Sequence, residues 1–435
     1  MAETLHPLHL VVGAPEKSRL FKLPEGTRLV ESPEISPGVT FPAGFLASGV
    51  TAGLKQSGRP DAGAVAVAPE YRDGSTSAAV FTSNAFAAAP VIVTRDESDL
   101  NHLVALVVNS GNANACTGPN GLEVARVMQA AAAATLGLEA KSVGVASTGI
   151  IGVQLEKEFM DRASVQAAAA VHHAGGPDFA RSIMTTDRYS KACAVEVELS
   201  SGTVRIGACA KGAGMICPAM ATMICVVTTD ASLSGPQASD FLRAAVDSSF
   251  NRATVDGEMS TNDTVFFLSS GASGVEVTDE DSEGFAAALQ AVLLRLALMM
   301  VADGEGATKI MRVTVTGAES DEQAMCVCRA IADSPLVKTA MNGGDPNWGR
   351  ILSSAGAAMA GRSLPDARLF LAGVKVVEQG WAAPLTPDQG RSLVAGVGGP
   401  EVDIELDLGL GQSRGEVFFA DLGHEYITIN AEYHT

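Results

Sequence analysis

Basic charge is scarce in this chain: 30 Lys and Arg stand against 49 Asp and Glu, a net charge of −19 over 435 residues. Such a surface repels phosphate backbones and anionic lipid headgroups, which argues against nucleic-acid binding and against docking on membranes. It leaves small anionic substrates open, because one site can carry its own lysine. Aromatics are few as well, at 5% of residues, although the chain is 47% hydrophobic. Its cores must therefore be built from Ala, Val, Leu and Ile. The seven cysteines (116, 193, 209, 217, 225, 326 and 328) form no CxxC, and full pairing leaves one over. The Cys326-Val-Cys328 spacing is wrong for a zinc knuckle, so reduced thiols and no metal site are expected. The chain does not open with a basic stretch followed by an apolar one, and the expected location is cytoplasmic. The longest apolar run, 285–301, is broken by Gln290 and Arg295. It falls short of a membrane span and reads as a buried helix.

What is present is an alternation of strands and helices. Residues 103–108 are a continuous apolar strand that runs into an Asn- and Gly-rich loop over 109–119. Residues 122–136 are Ala-rich and helical, with Gly137 to stop them. A hairpin is expected from 194–199 and 203–208 around Ser200-Ser201-Gly202, and a helix over 237–246 opened by Ser234-Gly-Pro. Residues 401–408 alternate apolar side chains with acids, the pattern of a half-exposed strand. The Pro- and Gly-rich stretch 383–400 reads as a linker or a long loop. Residues 1–35, rich in Pro and charge, read as a loosely packed arm. Mixed α/β is as far as periodicity goes, and the length allows two domains.

One segment carries chemistry. Residues 211–223 read KGAGMICPAMATM, and Met223 opens the apolar run Met-Ile-Cys-Val-Val, a buried strand. Thr222 stands at its mouth. A Thr hydroxyl is a poor nucleophile unless a base sits beside it. Its own α-amine can be that base if the bond from Ala221 is cut. Taken alone, an Ala-Thr pair before a strand is an ordinary loop.

The whole phrase, however, resembles the self-cleavage segment of the ornithine acetyltransferase (glutamate N-acetyltransferase, ArgJ) family. Further blocks follow in family order: NSGNANACTG (109–118), STGIIG (147–152), MTTD (184–187), VDGEMSTNDT (255–264), VADGEGATK (301–309), VKTAMNGGDPNWGRIL (337–352) and the terminal INAEYHT. Together they cover roughly residues 36–435. The resemblance implies an α/β fold with an αββα layered core, two sheets covered by helices, and a smaller C-terminal α/β domain. It implies cleavage between Ala221 and Thr222 into an α chain (36–221, with the arm 1–35) and a β chain (222–435), assembled as an α2β2 heterotetramer.

The implied reaction is ping-pong transfer of acetyl from N-acetyl-L-ornithine to Thr222 and then to L-glutamate, in cyclic arginine biosynthesis. Thr148 and Gly149 match the family's oxyanion hole, a hydroxyl and a backbone N–H. Thr185, Lys211, Glu305, Asn430 and Thr435, with Thr222 itself, match positions that contact substrate. No cofactor is implied. Some family members take acetyl-CoA as a donor and others do not, and no nucleotide-binding phrase here decides between them, since GxxxxGK[ST] is absent. An aminopeptidase or amidase with the same kind of N-terminal nucleophile is the alternative, with water in place of glutamate.

Other constellations carry less. His172-His173 has no carboxylate or Cys at ligand spacing and reads as a surface turn. Asp345-Pro-Asn-Trp-Gly-Arg350 reads as structural, a loop packed under the site, and Asn262-Asp263-Thr264 is ambiguous. Cys217, Ala219, Met341-Asn342-Gly343 and His434 depart from the usual family pattern, which bears on substrate breadth rather than on the nucleophile.

Overall fold

A computed structural model describes residues 18–30, 37–217 and 223–432. Two sheets lie face to face. One runs in spatial order Thr27–Leu29, Lys191–Leu199, Gly202–Lys211, Ile224–Thr229, Thr264–Ser269 and Thr76–Phe81. The other runs Phe45–Val50, Ala62–Val67, Ala105–Asn112 and Val143–Ile150. Each holds one parallel pair joined through a helix: Gly118–Leu136 links 105–112 to 143–150, and Gly235–Asp247 links 224–229 to 264–269.

The inner strands are apolar throughout because both of their faces are covered. Ile224, Val226, Phe266 and Leu268 meet Phe45, Val65, Leu106 and Val108 between the sheets. Their alternating neighbours Cys225, Val227, Val265 and Phe267 pack outward with residues of the helix Ser282–Ala302. On the far side, Ala105, Val107 and Val143 pack with Val124, Met128, Met160 and Ala163 of the helices Gly118–Leu136 and Lys157–Ala169. The layers are therefore helix, sheet, sheet, helix, an αββα core.

The long apolar segment forms the 21-residue helix Ser282–Ala302, longer than the run suggested, and 78% of its most apolar window is buried in this core. The helix Gly118–Leu136 ends as expected, on Gly137 in the left-handed conformation. Ser234 forms a capping box with Gln237 at the start of Gly235–Asp247.

A seven-stranded mixed sheet forms a second unit, in the order Ala253–Thr254, Ser413–Ala420, Ile310–Ala318, Glu401–Asp407, Arg368–Leu371, Val374–Glu378 and Trp381–Ala382. Its core packs against the helices Asp321–Ala332, Pro335–Asn342, Trp348–Ala358 and Pro387–Val397. The last of these corrects the expectation of a linker or long loop over 383–400. Thr386 forms a capping box with Gln389 and Pro387 pre-sets the first turn, which outweighs the glycines that follow. Asn347 caps Trp348–Ala358, and Arg350 donates to the Leu336 carbonyl.

The strand Glu401–Asp407 is less exposed than its alternation suggested. Glu401 and Asp403 are buried along with Val402 and Ile404 because cations and hydroxyls cover them. Ser18 Oγ and the Arg19 N–H donate to the Glu401 carboxylate at 2.7 and 3.0 Å, and Arg312 Nε donates to Asp403 at 2.8 Å. The described part of the N-terminal arm is thus not loosely packed. Leu20 and Phe21 enter the main core, and Thr27–Leu29 pairs antiparallel with the edge strand Lys191–Leu199.

Candidate active site

Thr148 and Gly149 close the strand Val143–Ile150, and Thr148 is buried. Gly149 has φ +133, and a Cβ there would collide with the Gly111 carbonyl carbon and the Asn112 nitrogen, so only glycine fits. Opposite, the pairing slips at Gly111 and Asn112 in a bulge.

Buried amides hold this bulge. Asn109 Oδ1 accepts from Ser147 Oγ at 2.6 Å, and Asn109 Nδ2 donates to the Asn112 carbonyl at 2.9 Å. Asn112 Oδ1 accepts the Asn114 N–H at 2.8 Å. From the opposite sheet, Asn262 Nδ2 donates to the carbonyls of Ala113 and Ser147 at 2.6 and 2.8 Å. Asn262, ambiguous in the sequence, therefore ties the strand that carries Thr148 and Gly149 to the end of its neighbour Ala105–Asn112.

Ala221 and Thr222 lie outside the described residues, but both flanks of the junction are fixed. Upstream, the Asp256 carboxylate accepts the N–H groups of Met215 and Ile216 at 2.6 and 2.9 Å, and Thr254 Oγ1 donates to the Ile216 carbonyl at 3.0 Å. Downstream, Asp263 Oδ1 accepts the Met223 N–H at 2.8 Å. Burial pushes the Asp263 carboxyl well above the ordinary carboxylate range, against the pull of that N–H and of Lys211.

Lys211 ends the strand Gly202–Lys211 and sits in register with Ile224, two residues past Thr222. It is buried, which lowers its pKa, and Asp187, Asp263 and Glu305 pull the other way. Glu305 reaches the same loop: its N–H donates to the Ala213 carbonyl at 2.9 Å. Its carboxylate lies over Gly214, where a Cβ would sit 2.7 Å from Glu305 Cδ. Asn430, on the helix His424–Glu432, donates to Glu305 Oε2 at 2.7 Å. Thr185 joins through Asp187, whose Oδ2 accepts the Thr185 N–H at 2.9 Å while Oδ1 accepts the Gly212 N–H at 2.7 Å.

The structure thus connects Thr185, Lys211, Glu305 and Asn430 around one loop, and places Thr148 and Gly149 at the end of one strand that Asn262 binds to the neighbouring sheet. Thr435 lies outside the described residues. Reading the sequence gave no role to Lys191, Asp256, Asp263 or Asp303. The signal for Lys191 was a lone charge at the mouth of the apolar run AlaCysAlaVal, and for Asp303 its place two residues before Glu305.

Two sheets between helical layers, with Lys, Glu, Asn and Thr gathered where the inner strands end, define an enzyme of the αββα layered class. The chain belongs to the ArgJ family, whose model matches residues 46–435. Among curated relatives it is 43% identical over 393 residues to an arginine biosynthesis bifunctional protein ArgJ of Nitratidesulfovibrio vulgaris, covering 90% of this chain and 98% of that protein. A protein of the same description from Symbiobacterium thermophilum is 41% identical, covering 92% and 99%. Among solved structures, an ornithine acetyltransferase complexed with ornithine from Mycobacterium tuberculosis is 37% identical. That match covers 44% of this chain and 98% of the other, with a TM-score of 0.38.

Proposed function

We propose that this chain is a self-cleaving threonine acetyltransferase that moves acetyl from N-acetyl-L-ornithine to L-glutamate in arginine biosynthesis. Membership of the ArgJ family over almost the whole chain, with full-length relatives above 40% identity, is the observation that carries this reading.

In maturation the Thr222 hydroxyl attacks the Ala221 carbonyl, and the C–N bond breaks as an ester forms. Water then splits the ester, leaving a carboxylate on Ala221 and a free α-amine on Thr222. In turnover this amine takes the hydroxyl proton as Thr222 attacks the acetyl carbonyl of acetylornithine, and it returns the proton to the departing ornithine amine. The glutamate amine then attacks acetyl-Thr222 by the reverse route. Each step passes through an oxyanion, which the Thr148 hydroxyl and the Gly149 N–H receive. Lys211 takes the substrate carboxylate and Glu305, oriented by Asn430, the substrate ammonium. Thr185 and Thr435 complete the contacts.

The chemistry needs no cofactor. The cut products stay together because strands from both sides of the junction, Gly202–Lys211 and Ile224–Thr229, are neighbours in one sheet. An α2β2 assembly and a cytoplasmic location belong to the same reading.

The test is incubation with acetyl-labelled N-acetylornithine and glutamate. One labelled N-acetylglutamate for each ornithine released is the expected result. Labelled acetate with no acetylglutamate would make the protein an amidase instead.

A further inference from the structure

Lys191 lies outside the sequence blocks quoted above, four residues past MTTD, yet its side chain is fully buried. Its ammonium stands 2.6 Å from Asp187 Oδ1 and 2.6 Å from Asp303 Oδ2. Burial disfavours its charge, but the two carboxylates outweigh burial and raise its pKa. Burial likewise works against the Asp187 charge, and Lys191, Lys211 and the Gly212 N–H hold that carboxyl below the ordinary range. Buried ion clusters are weak stabilisers, and apolar replacements often do as well. The use of this one is better read from what the carboxylates hold.

Asp187 accepts the N–H groups of Thr185 and Gly212, at 2.9 and 2.7 Å. Asp303 accepts the Arg188 N–H at 3.0 Å, and the Arg188 guanidinium donates to the Gly304 carbonyl at 2.9 Å. Glu305, the next residue, returns to the lysine loop through the Ala213 carbonyl at 2.9 Å. The loops carrying Thr185, Lys211 and Glu305 are therefore tied to one another by these backbone contacts, and the Lys191 ammonium joins the two carboxylates, Asp187 and Asp303, from which the contacts radiate.

We propose that Lys191 is a positioning residue of the amino-acid subsite, setting the spacing between Thr185, Lys211 and Glu305 by bridging Asp187 and Asp303. The inference rests on the acetyl-transfer reading above. Lys191 touches no substrate, so its loss acts on substrate affinity and leaves the acyl chemistry at Thr222 in place.

The variants are Lys191→Met, Asp303→Asn and their combination, which removes one charge of each sign and keeps the core neutral. In the combined variant the KM for L-glutamate is expected to rise about tenfold or more while kcat stays within about threefold. Lys191→Met alone also lowers the melting temperature, because two buried carboxylates lose the cation between them, leaving Asp303 with Arg188 and Asp187 with Lys211. A combined variant with unchanged KM and only a lower melting temperature would overturn the proposal. Calorimetric titration of glutamate into cleaved protein with no acetyl donor present, with and without the paired changes, reads the subsite without turnover. Binding weakened about tenfold supports the positioning role and equal binding overturns it, even if wild-type protein transfers no acetyl group.

Discussion

Asp263 accepts the backbone N–H of Met223, the residue after Thr222, through a carboxyl whose pKa burial raises well above the ordinary carboxylate value. One side chain thus fixes the backbone just past Thr222, the downstream flank of the proposed cleavage junction. Asp263→Asn preserves the shape and an acceptor oxygen and is expected to cleave and turn over. Asp263→Ala leaves a buried N–H unpaired, at a cost of about 1–3 kcal/mol, and should lower both melting temperature and cleavage rate. Thermal melts and the time course of chain cleavage separate the two variants.

The raised Asp263 pKa has a sign in stability. The unfolded chain ionises this carboxyl near its ordinary value while the folded chain keeps the proton. Its contribution is therefore full below the ordinary carboxylate pKa and is lost as pH climbs toward the higher folded value. Asp263→Asn removes that dependence, so its melting temperature should fall less than that of wild type as pH is raised from 5 to 8. A steeper fall in the variant would contradict the assignment.

Two glycines divide catalysis from binding. Gly149→Ala places a Cβ against the Gly111 backbone and, on the proposed mechanism, displaces an oxyanion donor, so kcat should drop by about 10²–10³. Gly214→Ala presses on the Glu305 carboxylate instead. Its effect should appear in KM for the amino-acid substrates, about tenfold, with kcat much less affected. Steady-state kinetics on cleaved protein reads both.

The N-terminal arm is a structural element where it is described. Phe21→Ala empties a site in the main core and should cost about 3–5 kcal/mol. Arg28→Ala breaks an exposed ion pair with Glu196 and should cost less than about 1 kcal/mol. Urea unfolding of the two variants gives the comparison.

Much of the fold was legible. The inner strand Ile224–Thr229 announced itself as an unbroken apolar run, and Gly118–Leu136 as an Ala-rich segment stopped by Gly137. The helix Pro387–Val397 was missed because its glycines depress helix propensity, and the cap at Thr386 that rescues it is a two-residue signal. Thr148, Lys211 and Glu305 were legible only as motif matches, since a Thr-Gly turn or a Lys beside glycines has no local signature. The roles of Lys191 and Asn262 depend on partners 112 and 149 residues away in the chain, Asp303 and Ala113, and local pattern does not reveal which distant residues the sheets bring together.

Denatured intact mass of the purified protein, beside a Thr222→Ala control, tests the central claim most directly. The account predicts two wild-type species whose masses sum to that of the 44.5 kDa chain plus one water, the second beginning at Thr222, and a single uncut control chain. An uncut 44.5 kDa chain in both samples would contradict it, because without a free α-amine Thr222 has no base and the proposed acyl transfer cannot proceed.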